Sequence, residues 1–124
     1  MIVKKIQRKI KKMKILIAID EDKKYNSKLS EHFGHCVYFA IYETDTKNLE
    51  IVENKLEHID SDLTPVDQIM KFKPDIVFSL GIGQRAIKLF NEKGVKLKTG
   101  SYKTVKGVIE NVGNLKELNL NCSH

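Results

Sequence analysis

The chain has 124 residues, 41% hydrophobic and 31% charged, which suits one domain with a real core. With only two prolines and no apolar run near the roughly 18 residues that span a bilayer, it excludes a disordered or collagen-like chain and a membrane span. The net charge of +6 comes from residues 1–12, where Lys4, Lys5, Arg8, Lys9, Lys11 and Lys12 stand without an acid; elsewhere basic and acidic residues balance at 16 each. A high pI of that origin argues for no specific nucleic-acid partner, because a binding domain carries its charge on a folded face. Cys36 and Cys122 are too few for a disulfide scaffold, and reduced thiols in a cytoplasm are the simpler expectation.

Residues 1–12 read as a basic extension. Ile2, Val3, Ile6 and Ile10 recur at near-helical spacing, but no cleavage site follows. Residues 15–19 are a continuous β-branched run, the mark of a strand buried on both faces. A polar loop over residues 20–31 leads to a strand at 37–42. A turn at Asp45-Thr46-Lys47-Asn48 joins it to an antiparallel strand at 49–53. Thr64-Pro65 opens a helix with Val66, Ile69, Met70 and Phe72 inward, and Pro74 ends it. A strand follows at 76–80. Gly81-Ile82-Gly83 then turns into a helix carrying Ala86, Ile87, Leu89 and Phe90, with Gly94 at its end. A short strand at 95–97 precedes a third helix with Val105, Val108, Ile109 and Val112, capped by Ser101 or Thr104 and stopped by Gly113. The domain spans 13–118, and residues 119–124 read as a loose tail. The order of elements predicts an α/β fold, a mixed sheet with helices packed on its faces.

Four sets of residues carry chemistry. In Ser30-Glu31-His32-Phe33-Gly34-His35-Cys36, two imidazoles and a thiol fall within five residues, all ligand types for zinc, copper or iron. The spacing matches no closed zinc pattern and offers at most three ligands: His32, His35 and Cys36. In Leu80-Gly81-Ile82-Gly83-Gln84-Arg85-Ala86, glycines after a parallel strand let a ligand approach the backbone, and the helix start favours anions. The turn lacks the third glycine of a dinucleotide fingerprint. Asp20 and Glu43 each end a strand, a possible divalent-metal nuclease pair. Asp75 opens its strand and is expected on the opposite sheet edge. Cys122-Ser123-His124 in the tail offers a further chelating pair.

Taken together, the segments resemble a known family. Met13-Lys14-Ile15 through Ile19, then Ser30-Glu31-His32-Phe33-Gly34 and Phe39, are similar to the opening of the dinitrogenase iron–molybdenum cofactor biosynthesis family. Leu80 to Ala86, Gly94-Val95 and Thr104-Val105-Lys106-Gly107-Val108-Ile109 are similar to its second half. The resemblance implies a ribonuclease H-like fold with a five-stranded mixed sheet. It also implies non-enzymatic binding or carrying of an iron–sulfur or iron–molybdenum cluster, with a metallocluster donor or acceptor protein as partner. His32 matches the family's His-Phe-Gly motif and is the first choice for a cluster contact. Gly34, Gly81 and Gly83 match as backbone positions, with Gln84 and Arg85 beside them. His35 and Cys36 stand where the family varies, so their ligand role is a hypothesis from chemistry.

The leading expectation places His32, His35 and Cys36 on a mobile loop that faces the N–H groups of residues 81–84 across one sheet edge. The alternatives are a small-anion or nucleotide-binding module built on Gly81 to Arg85, the Asp20–Glu43 nuclease, and a domain that binds only protein.

Overall fold

Every residue of the run from Ile15 to Ile19 is buried, because the strand it forms, β1 (Lys14–Ile19), lies inside a sheet covered on both faces. The computed structural model describes residues 12–55 and 65–118. In chain order the regular elements after β1 are β2 (Tyr38–Glu43), β3 (Asn48–Glu53), α1 (Pro65–Ile69), β4 (Ile76–Phe78), α2 (Gln84–Glu92), β5 (Lys96–Thr99), α3 (Val105–Glu110) and β6 (Lys116–Glu117). The proposed cap Thr64, the bulk of the basic extension (residues 1–11) and the tail with Cys122 and His124 lie outside the described residues.

The strands form one mixed sheet in the order β3-β2-β1-β4-β5-β6. β1 pairs antiparallel with β2 and parallel with β4; β4 and β5 are parallel. The sheet therefore has six strands among the described residues, not the five expected. The sixth is a two-residue strand in which Lys116 and Glu117 pair with Thr99 and Lys98. So short a segment, with both side chains exposed, leaves no period-two pattern to read.

Alternation along the strands divides the core in two. Leu16, Ala18, Phe39, Ile41, Val77 and Leu97 face Val66 and Ile69 of α1 and Ile87 and Phe90 of α2. Ile15, Ile17, Ala40, Tyr42, Ile76 and Phe78 face Val105 and Val108 of α3, with Leu29 and Leu115. α1 runs into a tighter turn, Met70–Phe72, and Lys73 takes a left-handed conformation (φ 53°) just before Pro74, where a helical backbone is disfavoured. α2 ends as its sequence predicts: Gly94 adopts φ +77°, and the Val95 N–H donates to the Phe90 carbonyl at 3.0 Å. α3 ends at Glu110, short of Gly113. Asn111 leaves the helical conformation, while its Nδ2 donates to the Gly107 carbonyl at 2.8 Å. Thr104 does stand at the α3 cap position, but its side chain makes no cap hydrogen bond.

Ile17 is fully buried between β2 and β4. Ile17→Ala should therefore cost about 2–5 kcal/mol in urea unfolding, against well under 1 kcal/mol for Tyr25→Ala at the surface.

Candidate functional site at the carboxyl edge of the sheet

The chain leaves β1 towards β2 on one side and leaves β4 towards β5 on the other, although β1 and β4 are parallel neighbours. This reversal makes a crevice beyond the carboxyl ends of the two strands, the usual place for a ligand in an open α/β sheet. Asp20 follows β1 there and Ser79 follows β4. The antiparallel course of β2 brings its preceding segment, residues 30–36, to the same edge.

Both glycine-bearing motifs meet at this crevice. The Phe33 N–H donates to the Gly81 carbonyl at 3.3 Å. A Cβ on Gly81 would lie 2.8 Å from the Glu31 carbonyl oxygen, so position 81 admits no side chain while the loop stays where it is. Buried Ser79 braces the turn: its Oγ accepts from the Gly81 N–H at 3.2 Å and donates to the Gly81 carbonyl at 2.7 Å. Buried Ser30 does the same for the loop. Its N–H donates to the Ala18 carbonyl at 2.9 Å and its Oγ accepts from the His32 N–H at 3.1 Å.

Phe33 fastens the loop to the core. Its ring is buried against Phe39 (centroids 5.8 Å apart) and edge-on to Phe90 (5.9 Å). The loop is thus pinned at Ser30, Phe33 and Cys36, and the mobile loop expected from its polar sequence is replaced by a short helical turn, Phe33–His35. That turn holds His32 and His35 on either side of a buried ring, with both imidazoles exposed and the His35 N–H donating to the His32 carbonyl at 3.0 Å. Gly34 lies within the turn. Phe33, Ser30 and Ser79 are the site residues that the chemistry-led reading passed over. The signal for Phe33 was an aromatic between two histidines, where only a buried ring could orient both.

Gly83 precedes α2, and a Cβ there would meet nothing within 4 Å. The first N–H groups of a helix have no intrahelical acceptor and give that end a partial positive charge. Gln84 and Arg85 are exposed in the same turn.

Cys36 is placed differently from the histidines. Its side chain is buried in the core beside Phe33 and Phe39. Burial pushes the thiol up to about 12, and the nearby Asp20 charge adds to this, against a hydrogen bond from the Ile19 backbone and a weaker one from Asn54. Asn54 Nδ2 also donates to the Cys36 carbonyl at 2.8 Å. Near neutral pH Cys36 is therefore a protonated thiol and not a ready thiolate.

The carboxylate pair does not assemble. Ile19 lies opposite Tyr38 and Lys14 opposite Glu43, so Asp20 and Glu43 sit at opposite ends of the sheet, roughly 20 Å apart along the strand at about 3.4 Å per residue. Two-metal catalysis needs ions about 4 Å apart, and the nuclease reading fails on this register. Asp75 does occupy the far edge as expected, where its carboxylate accepts from the Lys14 N–H at 2.9 Å. Among the described residues no three His, Cys, Asp or Glu side chains converge to hold a metal ion.

The fold and crevice define the class: a small mixed α/β protein in which two glycine-bearing motifs meet at one sheet edge beside exposed imidazoles. The sequence profile described as dinitrogenase iron-molybdenum cofactor matches residues 13–115, and the chain belongs to that family. An uncharacterized protein of Methanocaldococcus jannaschii is 33% identical over 92 residues, covering 70% of this chain and 74% of its own length. The crystal structure of a protein known as PH0822 is 34% identical, with TM-score 0.70 over 85% of this chain and 94% of that one. The solution structure of a NifB-like Thermotoga protein is 26% identical, with TM-score 0.70 over 86% and 93%.

Two outcomes test this geometry. Gly81→Ala should lose about 1–3 kcal/mol and shift the amide resonances of residues 31–35, because the new methyl meets a backbone oxygen. Gly83→Ala, which meets nothing and has an ordinary φ of −70°, should stay within about 1 kcal/mol of the parent. The second test concerns pH. An unfolded thiol ionises near 9 while folded Cys36 holds its proton to about 12, so stability is complete below pH 9 and falls as pH rises through that window. Cys36→Ala should flatten this fall in alkaline urea titrations, and peptide mapping should find Cys36 alkylated far more slowly than an exposed thiol.

Proposed function

We propose that this protein is a non-enzymatic, cytoplasmic carrier that holds an iron–sulfur or iron–molybdenum type cluster as cargo and exchanges it with a metallocluster donor or acceptor protein. The observation that carries the reading is the contact between residues 31–33 and Gly81, which joins both family motifs in one crevice. In this reading His32 is the first contact and His35 the second, since exposed imidazoles ligate iron without prior loss of a side-chain burial. The N–H groups at Gly83, Gln84 and Arg85 face the anionic sulfides, with the glycines keeping side chains away and the Arg85 guanidinium adding charge. Gly34 stays in this reading as a backbone position of the His-Phe-Gly motif, within the turn Phe33–His35.

The donor set fits a load that must be released. Two surface imidazoles and a helix start hold by few bonds, whereas a resident cluster calls for a cage of thiolates. Cys36 would join only after leaving the core and losing its proton, so it is assigned a secondary role, in retention after loading. The ribonuclease H-like class is retained here as a proposal. The order β3-β2-β1-β4-β5 with β2 antiparallel supports it, β6 being a short addition at the edge.

A second reading keeps the same crevice for a small oxyanion or nucleotide phosphate, favoured by the α2 start. Anaerobic reconstitution with iron, sulfide and molybdate separates the two. Stoichiometric uptake by absorbance and metal analysis should fall at least fivefold in His32→Ala and less in Cys36→Ala. A folded protein that takes up no cluster, but shows phosphate-dependent amide shifts at residues 81–85, would overturn the carrier reading in favour of the second.

A further inference from the structure

We propose that residues 1–12 hold this protein on an anionic lipid surface, with the crevice turned away from it. These residues carry the bases Lys4, Lys5, Arg8, Lys9, Lys11 and Lys12, and no acid. The apolar residues between them are not scattered. At about 3.6 residues per turn, Ile2, Val3, Ile6 and Ile10 fall within roughly 100° of arc, and every one of the bases falls outside it. A segment of this pattern lies in a bilayer interface, its apolar stripe at the acyl boundary and its bases among anionic headgroups. It is far short of the roughly 20 apolar residues that cross a bilayer, so it binds the surface and does not span. A nucleic acid would use the bases alone and leave the apolar stripe without a role.

The described structure fixes where that segment joins the domain. Lys12 is exposed, and Met13 packs against the α3 side of the core. The Met13 N–H donates to Thr44 Oγ1 at 2.9 Å, and the Thr44 N–H donates to the Met13 carbonyl at 2.9 Å. One residue on, the Lys14 N–H donates to the Asp75 carboxylate at 2.9 Å, and its Nζ donates to the Phe72 carbonyl at 3.0 Å. The root of the extension is thus pinned at the amino edge of the sheet. β1 then runs for 6 residues, roughly 20 Å at about 3.3 Å each, before the chain reaches the crevice. Lipid at residues 1–12 and cargo at the crevice therefore belong to opposite edges of one sheet.

The amino edge itself selects no charge. Its groove of about 370 Å³ mixes Lys12, Lys14 and Lys73 with Glu43 and Asp75. The preference for an anionic bilayer comes from the bases and the stripe of residues 1–12, and the pinned root sets the orientation. That orientation leaves the crevice open to a partner protein, a consequence that rests on the carrier reading; the lipid binding does not.

The test mixes the full-length protein with vesicles of equal parts phosphatidylglycerol and phosphatidylcholine, with vesicles of phosphatidylcholine alone, and with a single-stranded RNA oligomer. The expected result is sedimentation with the anionic vesicles only, a gain of helical circular dichroism on binding, and severalfold weakening when salt is raised from about 0.1 to 0.5 M. An Ile6→Asn, Ile10→Asn double variant keeps every base and should bind the anionic vesicles about tenfold more weakly, with the amide spectrum of residues 14–118 unchanged. Equal binding by parent and double variant would overturn the proposal, as would no sedimentation, or RNA binding tighter than vesicle binding. In bicelles of the same anionic mixture with a spin label on the headgroup, amides of residues 12–14, 43–45 and 72–75 should broaden while residues 31–35 and 81–85 stay sharp. Broadening strongest at residues 31–35 and 81–85 would overturn the orientation. Cluster uptake by the double variant should equal that of the parent. Failure of uptake in the parent therefore condemns the carrier reading, and failure of vesicle binding condemns the lipid surface.

Discussion

The carbonyl oxygen of Glu31 stands 2.8 Å from where a side chain at position 81 would begin. That approach is closer than any Cβ contact allows, and it lets the loop before β2 lie flat on the turn after β4. The consequences run outwards. Phe33 can reach the Gly81 carbonyl with its N–H while its ring drops between Phe39 and Phe90. With the ring buried, the flanking His32 and His35 have nowhere to go but the surface. Ser30 and Ser79 supply hydrogen-bond partners to the backbone of the two segments, at the His32 N–H and at the Gly81 N–H and carbonyl.

Beneath that contact lies a sheet with no wet face near its centre. β1 buries alternate residues into two separate cores, one under α1 and α2, one under α3. A strand sealed on both sides cannot shift register without moving its whole apolar set, so the carboxyl ends of β1 and β4 are fixed relative to each other. The crevice between them inherits that rigidity. Its floor is firm, while its exposed groups include two imidazoles, the carboxylates of Asp20 and Glu31, and the start of a helix.

The same rigidity explains how chemistry is distributed. Cys36 is drawn inwards beside Phe33, where burial keeps its proton on, so the most reactive ligand type is the least available one. The two imidazoles, by contrast, are exposed. The chain's family membership covers both motifs that meet at this edge, since the match runs over residues 13–115. Glu43 and Asp75, which could have lent hard oxygen ligands, are held at the far end of the sheet by the register of β2 and the entry of β4.

How much was legible in the sequence follows from which interactions are local. The unbroken apolar run at residues 15–19 announced a doubly buried strand, and Gly94 and Pro74 marked the ends of their helices, because burial period and backbone preference act within a few residues. Both site motifs were visible as residue types for the same reason. The short strand β6 was not, since two exposed residues have no period and pair only because β5 offers them an edge. The failure of the Asp20–Glu43 pair, the inward turn of Cys36 and the pinning of the His32 loop were equally invisible. Each depends on strand register or on contact between segments some fifty residues apart in sequence, such as Phe33 and Gly81. The sequence by itself determined which groups this protein owns and which stretches would be buried. Only the tertiary structure decided which of those groups meet, because closing long loops onto one sheet edge is a property of packing between distant segments and not of any one of them.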